Sequence, residues 1–312
     1  MSVSVPVPGT EHKMQTLSFL HDYFSALRFR GFEDFNQLFG AAYPPSTAIP
    51  LEDRLEFSLL VSDTAPFDLR FGLFKIYDPD TLLTIFRQAG HNTGRLEDAF
   101  AIMAPLVQEY GLGVDWNAAN PRMKAYFLRL QDAPNAASEL CARLPEVSRI
   151  LGTERLQFPS DLSSCSLLCI DHFSDARKNL KVYLRSLSPD REEIAKRTSS
   201  YGLGQSGFDA LVHTFAEDDL LDVTYSYKYS AATDVPVGFS SFFHLADDCE
   251  EGVLNLVRAV TPRRSREFQT VIDALRNACK GILFTHVGFT YSFSSSSEQI
   301  TTYSSPVTEA SS

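Results

Sequence analysis

The sequence predicts an α+β fold in which helices surround a closed, antiparallel β-barrel. Several segments alternate strictly between apolar and polar residues, as half-buried strands do. These segments come in pairs joined by short turns, and amphipathic helical patterns separate the pairs. If the helices cover the apolar face of every strand, the polar face must line an interior, which a closed barrel provides.

Residues 177–185 show this alternation most clearly. Leu180, Val182 and Leu184 lie on one face of the predicted strand. The other face carries Asn179, Lys181, Tyr183 and Arg185. One such strand is typical of a sheet with one wet face, but the Lys-x-Tyr step recurs at Lys124 and Tyr126. Buried cations need an anionic partner, so the pattern indicates a ligand that is anionic at one end and apolar or cationic at the other.

The elements follow from periodicity and from turn residues. A stripe that includes Leu17, Leu20 and Phe24 predicts the first helix, and Pro79 stands near the start of another. The predicted helices span residues 12–27, 32–39, 78–89, 96–109, 135–151, 190–201, 240–246, 249–259 and 265–280. The predicted strands span 55–62, 67–76, 111–116, 123–130, 164–171, 179–185, 208–215, 221–229, 282–293 and 298–303. They form five hairpins, each preceded by helical sequence.

This recurrence predicts one domain over residues 10–305. Residues 1–9 are expected to be a flexible leader and residues 306–312 a polar tail. No linker rich in Gly, Ser or Pro divides the chain between them.

Composition excludes several classes of function. The 312 residues carry a net charge of −11, so a nucleic-acid partner is not expected. No apolar run reaches the roughly 18 residues of a transmembrane helix, and the first ten residues lack the features of a signal peptide. Five cysteines, an odd number, favour reduced thiols in the cytoplasm. The seven scattered histidines predict no metal site of the His/Cys type.

Taken in order, the hairpins resemble those of the ABBA aromatic prenyltransferases. Residues 54–76, with Leu-Glu-Phe-Ser-Leu and then Leu-Arg-Phe-Gly, resemble the first hairpin of the fungal dimethylallyltryptophan synthase branch. Residues 165–185 resemble the third hairpin of both branches, and residues 287–306 the closing one. The length is similar to that of the shorter phenol and hydroxynaphthalene enzymes. The resemblance implies a ten-stranded antiparallel barrel of five ααββ units, the PT barrel, with helices outside.

The resemblance also implies an activity, which is transfer of a dimethylallyl group from dimethylallyl diphosphate to an electron-rich aromatic acceptor. The acceptor would be a phenol, hydroxynaphthalene or indole, alkylated by Friedel–Crafts chemistry in secondary metabolism. Arg70 stands where magnesium-dependent members carry Asp, so Mg²⁺ and other cofactors are not expected. The implied partners are these two small molecules, without nucleic acid or membrane, and the expected state is a monomer or weak homodimer.

Residue roles carry over by position. The expected diphosphate-binding residues are Arg70, Lys124, Asn179, Lys181 and Gln299. The expected shields of the allyl cation are Tyr126, Tyr183 and Tyr303. Glu56 matches the carboxylate that takes the acceptor's N–H proton in the indole branch. Such groups fit the chemistry, because fixed cations stabilise a departing diphosphate and aromatic faces attract a carbocation.

The sequence departs from the family at several of these positions. Asn179 replaces an Arg of the indole branch, Gln299 replaces a Lys of the shorter enzymes, and Asp222 stands where those enzymes carry an Arg. These replacements make the expected site less cationic, and Lys228 is a candidate to restore part of the missing positive charge. Further candidates for the lumen are Asp222, Thr224, Lys228 and His286.

Other interpretations stay open at this stage. A non-catalytic barrel that carries an apolar or anionic metabolite fits the same departures. Asp218, Asp219 and Asp222 spell the Asp-Asp-x-x-Asp string of terpene cyclases, but a strand follows, so an exposed hairpin turn is expected instead. Asp171 is expected to end a strand or cap a turn, and His213 to be packed or to line the pore.

Overall fold

The computed structural model describes eleven stretches of the chain. They are residues 55–115, 122–130, 136–152, 165–172, 178–187, 191–200, 205–230, 235–246, 249–278, 282–292 and 297–306. The predicted leader, the predicted helices over 12–27 and 32–39, and the tail beyond residue 306 lie outside them. The predicted domain limits therefore stay a prediction.

Ten antiparallel strands close into a barrel. They are β1 (Leu55–Ser62), β2 (Ala65–Ile76), β3 (Val107–Asp115), β4 (Arg122–Leu130), β5 (Cys165–His172), β6 (Lys178–Ser186), β7 (Leu220–Ser230), β8 (Gly238–Leu245), β9 (Ile282–Ser292) and β10 (Ser297–Pro306). Each strand pairs with its neighbours along the chain, and β1 also pairs with β10, with Phe57 opposite Ser304. Closure leaves no unpaired sheet edge, and the predicted ten-stranded barrel is confirmed.

Seven α-helices of the described chain accompany the strands. They are α1 (Pro79–Gln88), α2 (Gly94–Met103), α3 (Ala136–Leu151), α4 (Arg191–Ser200), α5 (Gln205–Thr214), α6 (Glu250–Val260) and α7 (Ser265–Ala278). Asp78 caps α1 by accepting hydrogen bonds from the backbone amides of Asp80 and Thr81, ahead of Pro79 at the first turn. No helix of the described stretches is both long and apolar enough to cross a membrane.

The core lies between the helices and the outer face of the barrel. Leu180, Val182 and Leu184 of β6 are at most 1 % exposed and belong to this core. Helix α6 contributes Val253 and Leu256 to the same apolar cluster. The period of two in each strand thus puts apolar side chains under the helices and polar ones inside the barrel.

Two predicted elements were wrong in type. Residues 208–215 form most of α5 and its end instead of a strand, because Leu211 and Phe215 are buried four positions apart, which is helical spacing. Residues 240–245 belong to β8 instead of a helix, because Phe239 and Phe243 are buried on one strand face and Ser240 lies on the other. The two errors cancel in the strand count.

Three smaller corrections concern bounds and positions. The helix predicted over 96–109 ends at Met103, because Pro105 enters a 3₁₀ turn and β3 begins at Val107. Asp219 lies in a second 3₁₀ turn, which joins α5 to β7 instead of closing a hairpin. His213 is exposed on α5 and neither packed nor in the lumen.

Candidate active site

The strand registers fix which polar residues meet inside the barrel. Lys124 of β4 lies opposite Asp171 of β5, which lies opposite Asn179 of β6. One layer along, Lys181 of β6 lies opposite Lys228 of β7. Directly paired residues share a face of the sheet, so these side chains project into the same lumen.

Seven charged residues form what we call the charged cluster: Arg70, Asp115, Arg122, Lys124, Asp171, Lys181 and Lys228. Asp115 is its first anionic centre. Arg70 Nε lies 3.5 Å from Asp115 Oδ1, and the side chains of Arg122 and Lys124 also contact this carboxylate. Arg70 is additionally paired with Asp68, at 3.1 Å.

Asp171 is the second anionic centre, and its side chain is fully buried. Lys181 Nζ lies 3.1 Å from Asp171 Oδ1, and Arg122 Nη1 lies 3.5 Å from Oδ2. Asp171 does lie at the end of β5, one residue before His172, and three strands also place cations around it. The lumen cations therefore find part of their counter-charge within the protein.

The pKa values show that positive charge is in excess. Burial alone would raise the pKa of Asp171, but Lys181 and Arg122 outweigh it and hold that pKa well below the ordinary value. Burial and the nearby cations depress the pKa of Lys124. Burial and the opposing Lys181 lower the pKa of Lys228 to about 8. Burial is the larger cause for the two lysines, but the low pKa of Asp171, in a cluster of five cations and two carboxylates, indicates a net positive potential.

A cavity of about 300 Å³ adjoins this cluster. Its lining is mostly aromatic and comprises Glu56, Phe74, Tyr126, Leu128, Leu167, Tyr183, Thr224, Phe242, His244, His286 and Tyr303. Tyr126 and Tyr183 each stand two residues beyond a cluster lysine on the same strand face. The cavity and the charged cluster are therefore contiguous.

Glycines make room for three of the lining rings. A Cβ on Gly111 would lie 2.7 Å from the Phe74 ring, and one on Gly113 would lie 2.7 Å from the Tyr126 ring. On β9, a Cβ on Gly288 would lie 2.5 Å from Phe242. Because such distances are not tolerated, these glycines allow the rings to lie flat against the barrel wall.

Glu56 is the carboxylate of the cavity. Its side chain is 22 % exposed. Burial raises the pKa of Glu56 to about 7, although a hydrogen bond with the Thr285 side chain and the charge of Lys124 oppose the rise. A carboxylate with a pKa near neutrality suits the role of a general base.

A histidine pair extends from Glu56 along the wall. His286 Nδ1 lies 2.8 Å from Thr285 Oγ1, and His286 Nε2 lies 2.7 Å from His244 Nε2. His244 Nε2 is 3.6 Å from Asp222 Oδ1. Burial and the neighbouring His244 lower the pKa of His286 well below its ordinary value. The pKa of His244 is also lowered, because burial outweighs the attraction of Asp222.

The structure brings most of the predicted site residues together. Arg70, Lys124, Lys181 and Lys228 join the charged cluster, and the three predicted tyrosines line the cavity with Glu56, Thr224 and His286. Asn179 is buried opposite Asp171. Gln299 pairs with Thr290, on the strand face that Tyr303 shares. Asp222 points to the lumen but accepts hydrogen bonds from Arg185, at 3.1 and 2.5 Å.

Sequence reasoning missed eight residues of the site. They are Phe74, Asp115, Arg122, Leu128, Leu167, Phe242, His244 and Thr285. Arg122 has the parity of Lys124 and Tyr126 in β4, and this spacing was a usable signal. His244 and Phe242 were hidden by the wrong helix assignment. Thr285 lies at an irregularity in the pairing of β9 with β10, for which periodicity gives no sign.

The closed barrel with its outer helices is the ABBA fold that the resemblance implied. No protein-family model matches the chain, and no curated protein matches it by sequence. The chain is instead similar to solved structures in its three-dimensional fold, and this similarity extends over almost the whole chain. At 13–16 % identity, the likeness to the three structures described next establishes the fold.

The structure of 5-dimethylallyltryptophan synthase from Streptomyces coelicolor matches with a TM-score of 0.73 at 16 % identity, covering 96 % of this chain and 97 % of that one. A 6-dimethylallyltryptophan synthase from Micromonospora olivasterospora, in complex with DMASPP and Trp, matches with a TM-score of 0.71 at 16 % identity, covering 96 % and 98 %. NotF in complex with brevianamide F and DMSPP matches at 0.68 and 13 % identity, covering 96 % and 95 %.

Proposed function

We propose that this protein is an aromatic prenyltransferase that uses dimethylallyl diphosphate. The observation that carries the proposal is the contact between an excess of buried cations and an aromatic cavity that holds one carboxylate. An allylic diphosphate has the matching form, with an anion at one end and a nascent carbocation at the other. The fold agrees, since similar barrels hold DMASPP with Trp and DMSPP with brevianamide F.

In the proposed reaction the diphosphate binds beside Lys124, Lys181 and Arg70. Their charge stabilises the negative charge that develops as the carbon–oxygen bond breaks. Asn179 and Gln299 add neutral hydrogen-bonding groups near this end. The excess positive potential described above weakens when an anion enters, which favours both donor binding and departure of diphosphate.

The dimethylallyl cation then lies among the rings of Tyr126, Tyr183 and Tyr303. Aromatic faces stabilise a cation by about 0.5–2 kcal/mol each and exclude water that would capture it. The electron-rich acceptor attacks this cation in a Friedel–Crafts alkylation. Glu56 accepts the proton that the acceptor loses, and its pKa of about 7 suits that role. Indoles are the first acceptors to test, with phenols and hydroxynaphthalenes next.

We propose that the reaction needs no Mg²⁺, because the charged cluster supplies the positive charge that a metal would bring. Labelled dimethylallyl diphosphate, incubated with indoles and hydroxynaphthalenes in the presence of a chelator, tests both parts. Prenylated product is the expected result. Product that forms only after Mg²⁺ is added overturns the metal-independent part, and absence of both product and donor cleavage overturns the activity.

A second candidate function is that of a metabolite carrier. Asp115 and Asp171 already neutralise part of the cluster, so the barrel does not depend on turnover to balance its charges. If the protein is a carrier, we expect it to bind a thiolo-diphosphate analogue but to leave dimethylallyl diphosphate uncleaved with every acceptor. Equilibrium binding measured beside the turnover assay separates the two functions.

Two further proposals concern the setting. The free cysteines Cys141, Cys165, Cys169 and Cys249 suit a reducing compartment, and we place the protein in the cytoplasm, within secondary metabolism. We also propose a monomer or weak homodimer. Light scattering across a tenfold range of concentration tests the oligomeric state.

A further inference from the structure

We propose that Thr285, His286 and His244 form a proton path that leads the acceptor's proton from Glu56 out of the barrel. The path rests on the proposed function, since it needs a reaction that releases a proton at Glu56. It assigns a task to a histidine pair that neither donor binding nor shielding of the carbocation requires.

The path runs from the Glu56 carboxylate through Thr285 and His286 to the second imidazole. Hydrogen bonding by the Thr285 side chain lowers the pKa of Glu56, against the effect of burial, and Thr285 Oγ1 lies 2.8 Å from His286 Nδ1. The two imidazoles meet Nε2 to Nε2 at 2.7 Å. Glu56 Oε2 itself is 3.7 Å from His286 Nδ1, which is too long for a direct hydrogen bond. The Thr285 hydroxyl therefore closes the gap.

A β-bulge creates this arrangement. Tyr303 pairs with His286 and Ser304 pairs with Phe284, so Thr285 is the extra residue of β9. A bulge redirects consecutive side chains that would otherwise alternate between the two faces. It brings the hydroxyl of Thr285 and the ring of His286 to the same side, beside Glu56 of β1.

The far end of the path is partly exposed to solvent. The His244 side chain is 30 % exposed, and its Nε2 is 3.6 Å from the Asp222 carboxylate. Asp222 is paired in turn with Arg185, whose side chain is 46 % exposed. A proton on His244 is therefore attracted by Asp222 and open to exchange with solvent.

Burial, more than the surrounding charges, keeps both rings neutral at pH 7. The titratable and charged groups that face them are Glu56 of β1, Arg185 of β6, Asp222 of β7 and Tyr303 of β10, whose ring centroid lies 5.8 Å from that of His286. Burial lowers the pKa values of both histidines. Two facing nitrogens can share a hydrogen bond only if one carries a proton and the other does not, so the pair holds complementary tautomers.

The transfer balances as follows. Glu56 takes one proton from the alkylated acceptor and passes one to the Thr285 hydroxyl, which gives its own proton to His286 Nδ1. His286 releases its Nε2 proton to His244 Nε2, so His286 ends as the other neutral tautomer. His244 becomes an imidazolium beside Asp222 and loses one proton to water. Glu56 returns to the carboxylate, and proton exchange with water, to which the His286 and His244 side chains are 23 % and 30 % exposed, restores the starting tautomers.

Steady-state kinetics of His244→Ala test the path. We expect kcat with tryptophan or a hydroxynaphthalene to fall about tenfold, a modest part of the effect of a general base. We also expect unchanged KM for dimethylallyl diphosphate, unchanged donor cleavage and partial rescue by added imidazole. His213→Ala, an exposed histidine on α5, is the matched control and keeps wild-type rates. A His244→Ala enzyme with the wild-type kcat and pH profile overturns the path and leaves the proposed function intact.

Nitrogen NMR of the histidine side chains tests the path without an acceptor. At pH 7.5 we expect neutral rings for His286 and His244, with Nε2 protonated in only one of them. Thr285→Val should change the tautomer populations of His286. Two rings protonated alike at Nε2, or a His286 signal indifferent to Thr285→Val, overturn the path. A wild-type protein that never cleaves donor overturns the proposed function, while the NMR result still decides the path.

Discussion

The charged cluster and the surroundings of the histidine pair, at the two ends of the lumen, have opposite effects on buried carboxylates. In the charged cluster, Asp171 is buried among cations, and its pKa is driven down. Around the histidine pair, the Glu56 side chain is 22 % exposed, yet its pKa rises to about 7 and the histidines lose their charge. Burial penalises the ion at both ends, so the number of nearby opposite charges decides the outcome. The first end thus holds Asp171 as an anion, and the second is suited to moving protons.

The largest effect on this contrast is expected from Asp171→Asn. The change leaves Lys181 without its buried counter-charge and Arg122 with Asp115 alone, so we expect a loss of about 3–5 kcal/mol in the free energy of unfolding. Urea denaturation at pH 7.5 measures it. Pyrophosphate should restore part of the loss, because it replaces the missing anion.

An exposed carboxylate provides the control for that change. Glu192 is exposed on α4, and Glu192→Gln should alter the stability by less than about 0.5 kcal/mol. Equal stability of Asp171→Asn and wild type contradicts the view that the charged cluster is anchored by internal carboxylates.

Glu56→Gln should change the free energy of unfolding in the opposite direction to Asp171→Asn. The folded-state pKa of about 7 lies above the usual 4.5, so the folded state binds the proton more tightly and stability falls as pH rises from 4.5 to 7. Removing the charge should therefore stabilise the protein by about 3 kcal/mol at pH 8 and by almost nothing near pH 4. Activity should fall at the same time.

Unfolding curves of wild type and Glu56→Gln at the two pH values give the comparison. Asp222→Asn serves as a contrast, because Arg185 stabilises that carboxylate as an anion, and its loss should destabilise. A Glu56→Gln protein that is less stable than wild type at pH 8 contradicts a raised pKa.

Lys181→Ala tests the functional side of the charged cluster. Loss of a charge-assisted contact of about 1.5–3 kcal/mol predicts a fall of roughly tenfold to a hundredfold in kcat/KM for the donor. Tyr183→Phe should be milder than Tyr183→Ala, because the ring face survives. Full activity of Lys181→Ala in the turnover assay removes it from the diphosphate site.

The smallest expected effect is the uptake of protons when an anion binds near Lys228. With a pKa of about 8, Lys228 is half protonated at pH 8, and an anion bound nearby raises that pKa. Binding of pyrophosphate at pH 8 should therefore take up about half a proton. Calorimetry in buffers of different ionisation enthalpy measures this uptake. Lys228→Met is the control, and an unchanged uptake in that variant assigns the proton to another group.

Most of the site could be predicted from the sequence because side chains of a strand alternate between its two faces. If Leu180 and Val182 face the core, the alternation of the strand makes Lys181 and Tyr183 face the lumen. The same alternation makes Lys124 and Tyr126 face the lumen. Parity does not give the lateral register between strands, so nothing marked Asp171 as the partner of Lys181 and Arg122. That register is set by barrel closure, which is a property of the whole sheet.

The histidine pair was harder to find for local reasons. His244 stands in Ser-Ser-Phe-Phe-His-Leu-Ala, where two adjacent phenylalanines obscure the period of two. The strand becomes visible only when Phe239 and Phe243 are seen buried on one face. Thr285 depends on a bulge, which breaks the alternation by which strands are recognised.

Pairing between β1 and β10 also dictates when the site comes into being during folding. Glu56 lies on the first described strand, and its partners Thr285 and His286 lie on β9, the second from last. Contacts so distant in sequence form slowly, and until the last hairpin docks, β1 presents an open edge that is prone to intermolecular pairing. A chain still being synthesised can therefore acquire its Lys124–Asp115 ion pair early, but its proton path only after the barrel has closed.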